Sequence, residues 1–240
     1  MLTQEPTING YHLEICANSS ESVELCQNLA SGGTTPSYGM IKRTRAQLSI
    51  GLHVLIRPRA GDFLYSDAEF EEMKADIEVC KALHCDGVVI GVLNADGSVD
   101  CARNAELVKL AAPMTCVFHR AFDRCADPFQ SLADIIDLGF SRTLTSGQRN
   151  TAVEGLPLIT DLITKAAGRI EIMPGAGVDA SNISAILRAS KARSIHSSAK
   201  SSYPSLMTYA SLDLDGMNEP TFQTDAARAS ELVAALHALD

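Results

Sequence analysis

Short apolar segments rich in β-branched residues recur along the chain and alternate with longer amphipathic segments. The short segments have the length and composition of buried strands, and the longer ones have the period of helices. This alternation is typical of parallel βα units, and eight strands in such a series predict a closed barrel. The predicted strands are Leu13–Cys16, Val23–Cys26, Leu52–Ile56, Gly87–Leu93, Thr115–His119, Arg142–Thr145, Ile170–Met173 and Ser194–His196.

The clearest helical pattern follows the third predicted strand, over Asp67–His84, with Asp67 as its expected N-cap. Its apolar face is predicted to consist of Phe70, Met73, Ile77 and either Val79 or Cys80. The other predicted helices are Ala102–Ala112, Asp127–Leu138, Gly155–Ala167, Ser181–Ala189 and Asp225–Leu239. The stretch Lys200–Gln223 is polar and is predicted to be irregular.

The connection between the first two predicted strands is too short for a helix. Only five residues, Asn18–Ser22, follow Ala17 there, whereas a crossover between parallel strands ordinarily takes about ten or more residues. A shortened gene, an altered transcript or clone, or a first segment that lies outside the sheet would each explain this. The sequence therefore predicts an α/β protein with a TIM-like (β/α)8 barrel whose first crossover helix is missing or shortened.

Composition limits the class of protein. A chain of 240 residues, 46% of them hydrophobic, can form one barrel domain over residues 1–240, with residues 1–10 as a flexible N-terminal tail. A net charge of −9 without any basic run argues against binding to nucleic acid. No apolar segment resembles a signal peptide or a membrane span. Seven cysteines without a CxxC pair indicate reduced thiols and a cytoplasmic location.

Eight sequence blocks resemble one known family, and they extend from Leu13 to Ala199. They are LEICANS, ELCQNLASGGTTPSYG, LIRPRAGDFLYSD, DGVVIGVLNADGSVD, FHRAFD, LTSGQ, GRIEIMPGAGV and IHSSA. In this order they resemble the CutC copper-homeostasis family. The resemblance implies a TIM-like barrel that forms homo-oligomers (a dimer or tetramer), is linked to copper tolerance and binds Cu(I). Family members carry a helix and a Gly-Ala-Asp-type turn between the strands that here hold Cys16 and Cys26, and this chain lacks them.

Two of the cysteines are candidate copper ligands. Alternation along a strand places Glu14 and Cys16 on one face, and likewise Glu24 and Cys26, so EIC and ELC are interpreted as matching registers on adjacent strands. Two facing thiolates suit Cu(I), a soft ion that prefers sulfur ligands. The alternative is that both cysteines pack as small apolar side chains. The other cysteines, at positions 80, 85, 101, 116 and 125, are interpreted as packing or surface residues.

A basic cluster lies where the predicted strands end, the usual place for sites in barrel enzymes. If the protein is an enzyme, the predicted catalytic residues are His119 as acid or base, Arg57 as an anion clamp and Asp123 as the group that orients them. Predicted anion-binding residues are Arg59, Arg120, Ser146, Gly147, Gly175, Gly177 and Ser198. The structural alternative is that strand-end cations, with Arg57 and His119 foremost, neutralise the interior polar residues Glu14 and Glu24 beside His196.

The glycines of Met173–Val178 support a phosphate site after the seventh strand, although glycines also serve turns. The loop Arg57–Asp67 carries Phe63, Leu64 and Tyr65, which are predicted to be exposed in a lid or a subunit contact.

Three functions compete at this point. The first is cytoplasmic Cu(I) binding and buffering through Cys16 and Cys26, with copper as the only bound metal. The second is a TIM-barrel enzyme of unassigned reaction that acts on a small anionic metabolite, such as a phosphorylated one. The third is a shortened paralogue without either activity.

Overall fold

A computed structural model of the chain describes residues 7–17, 24–209 and 220–239. Eight parallel strands form a sheet that curls into a nearly closed barrel, so the predicted fold class is confirmed. They are β1 (His12–Ala17), β2 (Glu24–Leu25), β3 (His53–Leu55), β4 (Gly87–Ile90), β5 (Thr115–Phe118), β6 (Arg142–Thr145), β7 (Glu171–Pro174) and β8 (Ser194–Ser197). The sheet order is β7-β6-β5-β4-β3-β2-β1-β8, and β7 lies beside β8 where the circle meets.

Helices connect the strands on the outside of the barrel. They are α1 (Tyr38–Gln47), α2 (Asp67–Ala82), α3 (Cys101–Ala111), α4 (Pro128–Asp137), α5 (Leu156–Ala166), α6 (Ile183–Ser190) and α7 (Ala226–His237), with short 3-10 helices at Leu29–Ser31 and Arg120–Arg124. Helix α1 was not predicted, because only Ile41 and Thr44 are buried along it. No helix in the described ranges is long and apolar enough to cross a membrane.

Helix α2 begins at a different cap from the predicted one. The hydroxyl of Ser66, not Asp67, accepts from the backbone N–H of Glu69, and the Glu69 carboxylate accepts from the Ser66 N–H at 2.7 Å. This reciprocal pair is a capping box, which satisfies two helix-end donors at once. The buried face contains Phe70, Met73, Ile77 and Cys80, so Cys80 rather than Val79 completes the predicted stripe.

The first segment belongs to the sheet, since β1 pairs with both β8 and β2. This excludes the explanation that placed it outside. The predicted connection Asn18–Ser22 lies outside the described residues, but the pairing explains how so few residues suffice. Cys16, the penultimate residue of β1, lies opposite Glu24, the first residue of β2. The chain therefore does not have to return along the whole of β1 before β2 begins.

The stretch predicted to be irregular contains an antiparallel hairpin at its two ends, β9 (Lys200–Tyr203) and β10 (Thr221–Thr224). Phe222 of β10 packs against the apolar cluster inside the barrel, and the Thr224 hydroxyl donates to the Cys16 carbonyl at 3.3 Å. The hairpin thus covers the barrel mouth beside β1. Each of these strands carries one aromatic residue among polar ones, which is too weak a strand pattern for prediction.

The barrel interior has two layers. The layer near the carboxyl ends of the strands is mainly apolar and contains Cys16, Leu55, Val89, Val117, Leu144 and Met173. Below it the residues are polar, with the His53 imidazole 2.9 Å from the Thr115 hydroxyl at the start of β3 and β5. At the opposite end, the Asn9 side chain donates to the carbonyls of Leu236, His237 and Leu239 and joins the chain ahead of β1 to the end of α7.

Candidate functional site

A cavity of about 1040 Å³ opens at the carboxyl ends of the barrel strands. Cys16, Leu55 and Leu144 line it from the strands, and Phe63 and Val178 line it from the loops that follow. Its volume matches that of pockets that enclose small organic ligands. Four basic residues that the sequence placed at strand ends, Arg57, His119, Arg120 and His196, also line this cavity.

Cys16 and Cys26 meet beside this cavity. Their Sγ atoms lie 3.2 Å apart, both are buried, and neither forms a disulfide. The predicted matching register is wrong, because Cys16 lies opposite Glu24 and Cys26 comes just after β2. The two thiols meet across a diagonal instead. The hydrogen bond with Cys26, together with burial, raises the pKa of Cys16 well above its ordinary value.

Glu24 and His196 form a buried ion pair next to the cysteines, with the imidazole Nε2 3.0 Å from the carboxylate. Burial disfavours charge on both groups, yet their mutual attraction outweighs it. The pKa of Glu24 is lowered and the pKa of His196 is raised. One ligand atom each from Cys16, Glu24 and His196 lies within 4.8 Å of the other two. Cys26 is not a member of this group of three, and it contacts the group through the Cys16 sulfur.

Glu14 lies deeper in the barrel and pairs with residues that the sequence did not single out. Its carboxylate is 3.3 Å from the Arg142 guanidinium and 3.9 Å from His53 Nδ1. Burial, with the neighbouring Glu24 charge, raises the pKa of Glu14 to about 8. Of the strand-end cations expected to neutralise the glutamates, His196 pairs with Glu24, whereas Arg57 and His119 form no ion pair with either glutamate in the described part of the chain. Arg142 and His53 contact Glu14 instead. Only the register of β6 against its neighbours could have revealed Arg142.

Arg57 is buried at the end of β3, and its guanidinium is held by backbone carbonyls. It donates to Ser31 at 3.1 Å, to Gly33 at 2.8 Å and to Gly61 at 2.9 Å, and it lies over the Phe63 ring at 4.9 Å. Phe63 and Tyr65 are buried, so the prediction that these aromatics are exposed is wrong, and only Leu64 is exposed. The loop Arg57–Asp67 folds inward as a wall of the cavity.

His119 is buried at the end of β5, where it lines the cavity. Its Nδ1 accepts a hydrogen bond from the backbone N–H of Ala121 at 3.2 Å, and its ring lies 4.8 Å from that of Phe63. Burial and the Arg57 charge lower the pKa of His119 to about 3. Gly91 makes room for the imidazole, because a Cβ there would lie 2.7 Å from His119 Cε1. Sequence reasoning missed this role of Gly91.

Asp123 organises the loop after β6, and no contact with His119 is found for it among the described residues. Its carboxylate accepts from Arg120 Nε at 2.8 Å, from the Thr145 hydroxyl at 2.6 Å and from the backbone N–H groups of Ser146 and Gln148 at 3.0 Å and 3.1 Å. Arg120 also donates to the Ser146 hydroxyl at 2.9 Å. Asp123, Arg120 and Ser146 thus satisfy one another.

The remaining candidates for anion binding fall into three groups. Gly177 and Ser198 line the cavity. Gly147 and Gly175 pack against Gly155 and Leu144, where a Cβ would clash at 2.3 Å and 2.5 Å. Arg59 is paired with Asp62 at 2.9 Å and with Glu69 at 2.6 Å and is not part of the cavity lining. We therefore place Arg59 outside the site.

Comparison with known proteins identifies the group to which this barrel belongs. The sequence model of the CutC family matches residues 8–201. The chain belongs to the CutC family. A CutC family protein from Chromobacterium violaceum is 46% identical over 95% of this chain and 98% of its own length. A mouse protein described as a copper homeostasis protein cutC homolog is 46% identical over 84% of this chain and 78% of its own length.

A solved CutC structure has the same fold. A structure described as the copper homeostasis protein CutC from Streptococcus agalactiae superimposes on this chain with a TM-score of 0.75 and is 35% identical in sequence. The match covers 78% of this chain and 98% of that one. The alignment with the Chromobacterium CutC protein spans 243 residues, more than the 240 of this chain. That relative therefore carries residues that have no counterpart in this chain.

Proposed function

We propose that this CutC-family protein binds Cu(I) through Cys16 and Cys26 and buffers or transfers the ion in the cytoplasm. The observation that carries the proposal is the 3.2 Å contact between two reduced thiols on neighbouring strands. Soft thiolate ligands favour Cu(I) over harder divalent ions. The names of relatives such as the mouse copper homeostasis protein cutC homolog support the same metal.

The position of the thiols supports a binding role over simple packing. Cys80 and Cys85 also lie close together and are buried, but they belong to the core outside the barrel and do not line the cavity. Cys16 does line it, so an ion has a route to the sulfur. Cys26 is fully buried and does not line the cavity, so one sulfur of this pair is accessible, whereas neither sulfur of the Cys80–Cys85 pair lines it. The Cys80–Cys85 pair is therefore a matched control.

The neighbouring ion pair defines how the site would select its metal. His196 can supply a nitrogen as a third ligand if its contact with Glu24 is released, and imidazole is compatible with copper and with zinc. The Glu24 carboxylate is a hard ligand that Cu(I) does not prefer. We therefore assign the two thiolates as the ligands of Cu(I) and His196 as an auxiliary ligand.

X-ray absorption at the copper edge tests the ligand set. Protein loaded anaerobically with one equivalent of Cu(I) is expected to show sulfur as the dominant nearest scatterer. The Cys80→Ser/Cys85→Ser variant is expected to give the same spectrum. A spectrum dominated by nitrogen and oxygen, or one that changes in the control variant, would overturn the proposal. Self-association into a dimer or tetramer, which the family resemblance implies, stays a prediction that light scattering can measure.

A further inference from the structure

Three side chains of different metal-ligand types meet at the barrel mouth. The Sγ of Cys16, a carboxylate oxygen of Glu24 and a ring nitrogen of His196 all lie within 4.8 Å of one another. The strand register brings them together. Cys16 of β1 lies opposite Glu24 of β2, and Glu14, two residues earlier in β1, lies opposite His196 of β8. The three ligands therefore belong to three adjacent strands, which hold side chains more precisely than loops do.

The spacing of these atoms suits a tetrahedral zinc ion. Zinc binds sulfur at about 2.3 Å and nitrogen or oxygen at about 2.0–2.2 Å, so the ligand atoms around it lie about 3.4–3.6 Å apart. The Nε2 of His196 is 3.0 Å from the Glu24 carboxylate, and the Cys16 sulfur lies within 4.8 Å of a ring nitrogen and a carboxylate oxygen of this pair. Side-chain shifts of about 1 Å are enough to enclose the ion.

The charge of the group matches a divalent ion. In the metal-free protein the imidazolium of His196 balances the Glu24 carboxylate, and Cys16 is a reduced thiol, which is neutral near pH 7. A zinc ion displaces one proton from the thiol and one from the imidazolium, and the thiolate and the carboxylate then balance its two positive charges. The buried group is neutral before and after binding, which avoids the cost of a buried net charge.

We propose that Cys16, Glu24 and His196 bind a zinc ion, with the fourth coordination position left for a water or for an oxygen atom of a small molecule in the cavity. Three protein ligands and an exchangeable fourth are the arrangement of zinc sites that take part in catalysis, whereas structural zinc sites are closed by four. All three residues line the cavity of about 1040 Å³. This site shares Cys16 with the proposed Cu(I) site but needs neither Cys26 nor copper, so it goes beyond the proposed function.

Zinc titration of reduced, copper-free protein against a chromophoric chelator tests the inference. The wild type is expected to bind one equivalent of Zn²⁺. Glu24→Gln keeps the size of the side chain but loses the carboxylate. It is expected to weaken zinc binding at least about tenfold, since replacing even a residue that only supports a metal ligand costs about that much. Glu231→Gln is the matched control, because it makes the same substitution at another residue of the cavity lining, and it is expected to bind zinc as the wild type does.

The Cys26→Ser variant separates this inference from the proposed function. It is expected to lose Cu(I) affinity and to keep the zinc affinity of the wild type, whereas Glu24→Gln is expected to do the reverse. A wild type that binds zinc but not Cu(I) would contradict the copper proposal alone.

X-ray absorption at the zinc edge decides the question if Glu24→Gln does not fold. Zinc-loaded wild type and zinc-loaded Cys26→Ser protein are both expected to show one sulfur among nitrogen and oxygen scatterers. A wild type that binds no zinc would overturn the inference, as would an affinity that Glu24→Gln leaves unchanged or that Glu231→Gln lowers equally. A second sulfur scatterer, or zinc binding that is lost in Cys26→Ser, would also overturn it, because the ion would then lie between the two cysteines.

Discussion

The guanidinium of Arg142 lies 3.3 Å from the carboxylate of Glu14, inside the barrel and below the two cysteines. Its Nε also donates to Glu171 at 2.9 Å, so one cation links two acidic side chains on different strands. Both Arg142 and Glu14 are buried. This link gives the polar layer of the barrel a fixed arrangement beneath the candidate copper site.

Replacing Arg142 with methionine is expected to lower the free energy of unfolding by about 1–3 kcal/mol, because it removes the charged hydrogen-bond donor of two carboxyl groups, those of Glu14 and Glu171. Urea denaturation measures the change. Arg59→Met, which breaks an exposed pair with Asp62, is expected to cost less than about 1 kcal/mol. Equal losses of unfolding free energy in the two variants would show that the buried contact of Arg142 with Glu14 stabilises the protein no more than an exposed ion pair does.

The Gly91→Ala variant tests the close packing of the His119 imidazole against Gly91. A Cβ at position 91 would lie 2.7 Å from His119 Cε1 and 3.2 Å from the Cβ of Ala121. The crowding is expected to cost about 1–3 kcal/mol of stability and to displace the ring. Gly39→Ala in α1 meets nothing within 4 Å and is expected to be neutral or to stabilise by up to about 1 kcal/mol. A Gly91→Ala protein as stable as the wild type would contradict the close contact.

His119 predicts a dependence of stability on pH. Its folded pKa of about 3 lies below the ordinary value of 6.5, because the ring is buried near Arg57, and the Glu24 charge only partly offsets this. The unfolded state therefore binds more protons between these values, and stability is expected to fall as the pH drops below 6.5. The slope from this group approaches about 1.4 kcal/mol per pH unit.

Thermal or urea unfolding of the wild type and His119→Gln between pH 7.5 and about 4.5 measures this contribution. The variant has no ionisable ring, so its stability is expected to fall less steeply over that range. Parallel curves would mean that the pKa of His119 is the same in the folded and the unfolded protein, which would contradict the lowered value.

The barrel could be predicted from the sequence because its strands are buried on both faces, and such strands appear as short, nearly continuous apolar segments. Each of the eight parallel strands coincides with a short apolar segment, as at Gly87–Ile90 and Thr115–Phe118. Helix α1 was not predicted because it buries so few side chains. The hairpin β9–β10 was not predicted because its strands pair with each other and lie mostly exposed.

The candidate site was predicted in its residue types but not in its pairings. Alternation placed Cys16 and Cys26 inside the barrel, but it could not show the two-residue offset that puts Glu24 opposite Cys16. Pairing depends on register, which couples strands far apart in the chain. The same limit concealed Arg142 as the partner of Glu14. It also suggested Arg59 as an anion ligand, although Arg59 is paired with Asp62 and Glu69 and does not line the cavity.

Anaerobic Cu(I) titration against a competing chelator tests the central claim most directly. The wild type is expected to bind one equivalent of Cu(I), since the two sulfurs that meet at 3.2 Å form one site. The Cys16→Ser/Cys26→Ser variant is expected to lose this binding while it keeps the circular dichroism spectrum of the folded barrel. The Cys80→Ser/Cys85→Ser variant is expected to titrate as the wild type does. Undiminished Cu(I) binding by folded Cys16→Ser/Cys26→Ser protein would contradict the account.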